Sequence, residues 1–250
     1  MQLAKRTIQS LAVLTLTGGI AAAAIPGPQR AFMPALYGLT EIAPNMYTDD
    51  PNRKAEWLEI YRAASVRDEQ FFGTLVSSPR YILCATMACE RIFGMRGNVA
   101  QTYGWSMIHL PPKALGNRDV GIILMAHERV HAEIVHKWGF TALWDRKIPS
   151  WFNEGIATYI SKDYRIESFY AQVPAYDTET RAGVKRARYF WDWGSVVDQY
   201  GWHDAYGASA ENVKLLQHRI GDTGLRKLIK RSIDGEDFET VVRQIAPNSL

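Results

Sequence analysis

Ile123-Leu-Met-Ala-His-Glu-Arg-Val-His-Ala-Glu-Ile134 is the stretch from which the fold of this chain is read. Inside it, His127-Glu128-Arg129-Val130-His131 matches H-E-x-x-H. On a helix this spacing puts both imidazoles on one face, a turn apart, with the carboxylate beside them, which is a zinc site in outline. Composition alone produces the pattern in about one such chain in a hundred, so the flanking sequence must decide. Ile122, Ile123, Met125, Ala126, Val130 and Ile134 make the segment apolar at helical spacing, and Gly139 is placed to end the helix after Lys137. A buried helix carrying His, Glu and His needs partners for them, because unpaired polar groups in a core cost several kcal/mol. The competing reading is a pair of hydrogen-bonded core histidines with a surface Glu between them.

Upstream, residues 42–48 predict a first short strand, and Asp49-Asp50-Pro51-Asn52 a turn that opens a helix. Trp57, Leu58, Tyr61, Ala64, Phe71 and Phe72 predict an amphipathic helix over residues 55–72. A strand over 81–85 follows, then a short helix near Glu90 and Phe93 and a turn near Gly94 and Gly97. Residues 101–110, with Tyr103, Trp105, Met107, Ile108 and Leu110, form a β-type run stopped by Pro111-Pro112. Leu215, Leu216, Ile220, Leu225, Leu228, Ile229, Phe238 and Val241 describe core-forming helices, with Gly221 and Gly235 as stops. The expected class is α+β: a small mixed sheet with an edge strand, the H-E-x-x-H helix, and a mostly helical second half.

A catalytic zinc takes three protein ligands and leaves one position for water. In H-E-x-x-H-x-x-G-x-x-H the third ligand would be at 137, but positions 134 and 137 are Ile134 and Lys137, which excludes that class. Downstream stands Pro149-Ser-Trp-Phe-Asn-Glu-Gly-Ile-Ala-Thr-Tyr159. Pro149 and Ser150 start a helix that holds Glu154 in its first turns, on the side of Trp151 and Thr158. Gly155 and Ala157 are small, so this helix is expected to lie close against the first and bring a carboxylate oxygen to the metal. The alternative role for Glu154 is that of an acidic residue favoured by the helix dipole.

His127 to His131 followed by Trp-Phe-Asn-Glu-Gly-Ile-Ala resembles the gluzincin metallopeptidases, especially the M1 aminopeptidase-like group and the smaller relatives called peptidase MA-like. The likeness covers residues 101–242, with a gap between His131 and Glu154 a few residues longer than in the M1 group, absorbed by a loop over 141–147. It implies a zincin-like catalytic domain over 41–250, divided into a sheet with the active-site helix (41–139) and a helical subdomain (140–250). It also implies a role for Tyr206, which opens Tyr206-Gly-Ala-Ser-Ala-Glu and would donate its hydroxyl to a developing oxyanion. By the same analogy residues 101–109 supply the edge strand on which an extended peptide pairs. The Gly-x-Met-Glu-Asn element that binds the free amino end in M1 aminopeptidases has no counterpart here, which puts aminopeptidase specificity in question.

A chain of 250 residues with 47% hydrophobic content can bury a substantial core. Its net charge is +3, and setting aside Lys5 and Arg6 leaves 3 − 2 = +1, with no basic stripe that would point to nucleic acid. Residues 1–25 pair Lys5 and Arg6 with an apolar run from Leu11 and the small residues Ala21 to Ala24. They predict an export signal, cleaved after Ala23 or Ala24 or retained as an anchor over residues 7–25, and so an exported, periplasmic or other extracytoplasmic location. Residues 26–40 read as a linker. Export favours a disulfide between Cys84 and Cys89; a cytosolic chain would keep two buried thiols.

The expected activity is hydrolysis of a peptide or protein substrate. Zn2+ is held by His127, His131 and Glu154, Glu128 is the general base, and Tyr206 supports the oxyanion. The alternatives are a catalytically silent zinc-binding module and a metallohydrolase of a non-peptide bond. His109, His136, His203 and His218 lack ligand spacing and are expected at the surface or hydrogen-bonded. Tyr189-Phe-Trp-Asp-Trp193 with Tyr200 and Trp202 forms an aromatic cluster for core packing, for the cleft wall or for a membrane interface.

Overall fold

The computed structural model describes residues 27–94, 99–103, 106–136, 147–166 and 176–247. The expected signal segment, Gly97, Trp105, Gly139 and most of the 141–147 loop lie outside them. The chain is α+β. Two 3-10 helices, Gly27–Phe32 and Pro34–Tyr37, occupy much of the stretch read as a linker. A five-stranded mixed sheet follows in the order β1-β2-β3-β5-β4, formed by β1 (Thr40–Ala43), β2 (Met46–Thr48), β3 (Arg80–Leu83), β4 (Gln101–Tyr103) and β5 (Met107–Leu110). β3 runs parallel to both β2 and β5, while β4 pairs antiparallel with β5 at one edge.

The single strand expected over 42–48 is instead a tight hairpin. Asn45 takes the left-handed conformation, φ 63°, and lets Ala43 pair with Met46 across a two-residue loop. Asn is one of the few residues that tolerates this conformation, so Pro44-Asn45 was the turn signal. The 101–110 run is likewise two antiparallel strands, turning back on itself between Tyr103 and Met107.

Side chains alternate across the sheet as a period of two demands. Tyr81, Leu83, Ile108 and Leu110 face a core shared with α1 (Lys54–Phe72), while Ile82, Cys84 and Met107 face a smaller one with Ala31, Cys89 and Phe93. That smaller core includes α2 (Met87–Ile92), capped by Thr86 and tied down by a Cys84–Cys89 disulfide. After a helical turn, α3 (Lys113–Gly116), comes α4 (Arg118–Val135), whose N-terminus is capped by Asn117 Oδ1 accepting from the backbone of Asp119 and Val120.

The second half is helical: α5 (Ser150–Ser161), α6 (Thr178–Val184), α7 (Phe190–Tyr200), α8 (Trp202–Ile233) and α9 (Phe238–Ile245). Gly221, with φ 66° and ψ 174°, bends α8 where a stop was expected. These helices enclose the largest core, to which α4 contributes Val130 and Ile134, whereas its Ile122, Leu124, Met125 and Ala126 belong to the sheet core. α4 is therefore the wall between two cores, and residues 127–131 lie where one passes into the other. Among the described residues no helix is long and apolar enough to cross a membrane.

Candidate metal centre

Because α4 is buried on nearly every side, its polar residues are legible as a set: His127, Glu128, Arg129 and Glu133 are all buried. His127 and His131 stand one turn apart with ring centroids 4.8 Å from each other. Glu154, from the second turn of α5, reaches between them. Its Oε2 lies 3.4 Å from His127 Nε2 and 3.6 Å from His131 Nε2, and the three candidate ligand atoms all fall within 4.8 Å of one another. The sequence-predicted ligands thus converge on one point from two helices.

The reason α5 comes so close differs from the expected one. A Cβ on Gly155 would lie 2.5 Å from Ser209 O and 3.0 Å from Val213 Cγ2, so the small residue admits the backbone of α8 rather than α4. Gly155 sets the depth of α5 against α8, and Glu154 is aimed at α4 from that position.

The electrostatics of this triad suit a cation. Burial pulls the His131 imidazole down, but Glu154 beside it prevails and raises it to about 9, with Glu128 and Asn153 adding to the effect. Burial likewise opposes ionisation of Glu154, yet the two imidazoles hold its carboxyl well below the usual carboxylate range. Two imidazoles and one ionised carboxylate are the donor set of a three-ligand zinc site. The residues fit the ion.

Glu128 is beside this triad but not part of it. Its Oε2 accepts from Thr102 Oγ1 at 2.7 Å, and the same hydroxyl lies 2.9 Å from the Glu128 carbonyl, so one proton is shared between them. Thr102 sits in the middle of β4, the edge strand, and nothing in the sequence singled it out. Tyr206, in the first turns of α8, brings its ring to 5.9 Å from that of His127 and is itself packed edge-on by Trp193 at 5.1 Å. Burial first, then the Glu154 carboxylate, hold its hydroxyl well above the ordinary phenol range, so it stays a proton donor.

The aromatic cluster divides between the roles considered for it: Trp193 and Trp202 pack on Tyr206, while Tyr189 stacks on Trp191, whose neighbour Phe190 is exposed. Of the other histidines, His203 Nε2 meets Arg165 O at 2.9 Å and His218 is exposed. His109 is not at the surface, and the Val99 backbone bonds it. It is buried on β5, and burial pushes its imidazole down to about 4, because β5 is covered on both faces.

Behind the metal face, Arg129 binds Glu133 (Nε to Oε1, 2.9 Å), the Ser77 carbonyl (2.7 Å) and the Tyr81 hydroxyl. Glu133 also accepts from Ser77 Oγ at 2.6 Å and from the backbone of Val76 and Ser77. This network fastens α4 to β3 and to the loop before it. No protein-family model, curated protein or solved structure matches the chain.

Proposed function

We propose that the chain is a zinc-dependent peptidase of the gluzincin type, its catalytic domain zincin-like and exported from the cell. One observation carries the reading: three ligand-bearing side chains converge within 4.8 Å while a fourth, Glu128, stands beside them and is held by another residue. A structural zinc site would fill its fourth position with protein, whereas three ligands plus a neighbouring carboxylate leave room for water and a base. When bound, zinc supplies Lewis acidity that lowers the pKa of water and polarises a carbonyl.

The residues of the chain do the rest. Glu128 takes the proton of the attacking water and passes it to the leaving amine, with Thr102 keeping the carboxylate turned toward β4. Tyr206 donates its hydroxyl to the oxygen that gains charge. An extended substrate would pair along the outer edge of β4, last in the order of the described strands, which brings its backbone beside Thr102 and Glu128.

The test is cleavage of a mixed peptide library by the zinc-loaded chain and by Glu128→Gln, with products read by mass spectrometry and zinc by elemental analysis. The wild type is expected to cut, and the variant to retain zinc and lose turnover. Zinc bound by both with no cleavage by either would instead favour a silent zinc-binding module or a substrate that is not a peptide. Loss of zinc from Glu128→Gln would remove the general-base role.

A further inference from the structure

The described fold begins at Gly27, immediately after the basic and then apolar sequence of residues 1–26. The first residues after it form a fixed knuckle. Gly27 is so close to Gly94 that a Cβ would meet Gly94 Cα at 2.4 Å, and Arg30 Nη1 donates to Ile92 O at 2.8 Å. Arg80 Nη1 binds Ala31 O at 3.1 Å and Phe32 O at 2.9 Å, while Ala31 is buried against Cys84, Cys89 and Phe93. With its backbone pinned in this way to the disulfide-bearing layer, the segment nevertheless exposes its large apolar side chains: Phe32 is 50% exposed, Met33 43% and Leu36 67%. Ile92, next to Arg30, is exposed as well. Single exposed apolar residues need no explanation, but three within five residues of a rigid segment form a patch.

Cationic side chains adjoin it. Arg30 and Arg80 adjoin it through their bonds to Ile92 O, Ala31 O and Phe32 O and stack on Tyr37 and Tyr47, and the exposed Arg91 precedes Ile92 in the chain. Of the carboxylates on adjoining elements, Glu90 is buried and Asp49 accepts from Ala85 N and Thr86 Oγ1, while Glu41 on β1 is exposed and accepts from Asn45 N. An apolar knuckle with arginines beside it, at the point where an apolar N-terminal sequence joins the fold, matches the interface of an anionic bilayer. A second copy of the chain fits less well, since a two-fold contact would set the same arginines against each other.

We propose that the face made by Phe32, Met33 and Leu36 with Arg30, Arg80 and Arg91 rests on the surface of a membrane containing anionic lipid. It orients the folded part of the chain on that surface, independently of any metal chemistry. Both native cysteines are in the disulfide, so an introduced cysteine can be labelled alone.

The full chain carrying Leu36→Cys, or Lys227→Cys on the exposed side of α8, is labelled with an environment-sensitive fluorophore and mixed with vesicles of phosphatidylcholine, with and without phosphatidylglycerol. The label at 36 is expected to shift to the blue and become shielded from an aqueous quencher on the anionic vesicles, while that at 227 does not. Arg91→Glu should raise several-fold the phosphatidylglycerol fraction that gives half the shift. The proposal is overturned if the chain does not associate with these vesicles, or if position 36 stays as wet as 227 on them. It is equally overturned if the shift develops without lipid and grows with protein concentration, which would assign the face to a second copy.

Discussion

Gly155→Ala tests whether the metal centre is positioned by the packing of α5 on α8. The added Cβ would stand 2.5 Å from Ser209 O, and ordinary contact begins near 3.4 Å, so the two helices must separate or slide by up to 3.4 − 2.5 = 0.9 Å. Overpacking of this kind costs about 1–3 kcal/mol, against which Ala gains about 1 kcal/mol over Gly in helix propensity. The net loss of stability in the metal-free protein should therefore be about 0–2 kcal/mol.

Glu154 precedes Gly155 and moves with it, while metal–ligand distances tolerate only about 0.2 Å. Zinc affinity should fall about 10- to 100-fold, or about 1.4–2.8 kcal/mol. The assay is competition with a chromogenic chelator, alongside urea unfolding of the metal-free chain. Gly194→Ala in α7 is the control: a Cβ there meets nothing within 4 Å, so it should leave zinc binding alone and stabilise by up to about 1 kcal/mol. Zinc bound by Gly155→Ala within a factor of about three of wild type would refute the reasoning.

Thr102→Val should lower kcat by about 10- to 100-fold with zinc content unchanged, and Thr102→Ser should restore most of it; an inactive Ser variant would show that the hydroxyl is not what matters. Glu133→Gln leaves Arg129 buried without its charge partner and should cost about 3–5 kcal/mol by urea denaturation. Burial opposes ionisation of Glu133, but Ser77, Val76 N–H and Arg129 hold its carboxyl below the ordinary 4.5. Its contribution is accordingly complete above that value and fades as pH falls below it, a slope the variant should lack. Asp68 is the reverse case. It is fully buried with no hydrogen-bond partner on either oxygen among the described residues, and burial holds its carboxyl well above the ordinary 3.8 despite Arg129. Ionising it thus weakens the fold as pH rises past 3.8, and the stability that Asp68→Asn gains, read by urea denaturation, should be larger at pH 8 than at pH 3.5.

What the sequence revealed and what it hid follow from the range of the forces involved. α4 was legible because its apolar spacing, its two histidines and its Glu all lie within one local pattern. α5 was legible because Pro149 and Ser150 mark its start. Glu154 could be picked out since zinc chemistry demands a third ligand. The hairpin at Asn45 was missed because a left-handed residue leaves only a weak local trace between two apolar stretches. The partner of Gly155, the Thr102 hydroxyl on Glu128 and the burial of His109 each depend on elements distant in the chain. No periodicity within a window of a dozen residues encodes them. Arg129 was passed over as an unspecified position of the motif, although its contacts with Ser77, Tyr81 and Glu133 fasten the helix to the sheet.

The membership of α4 in two cores has a thermodynamic consequence. His127 and His131 belong to the helix that closes the sheet core, whereas Glu154 belongs to a helix of the other core, so an ion bound by all three links the stability of both. Zinc at a hundred times its dissociation constant adds about 2.7 kcal/mol to the docking of one core on the other. Such an ion would act as a rivet between the two cores, and unfolding followed with and without it would show them melting further apart in its absence.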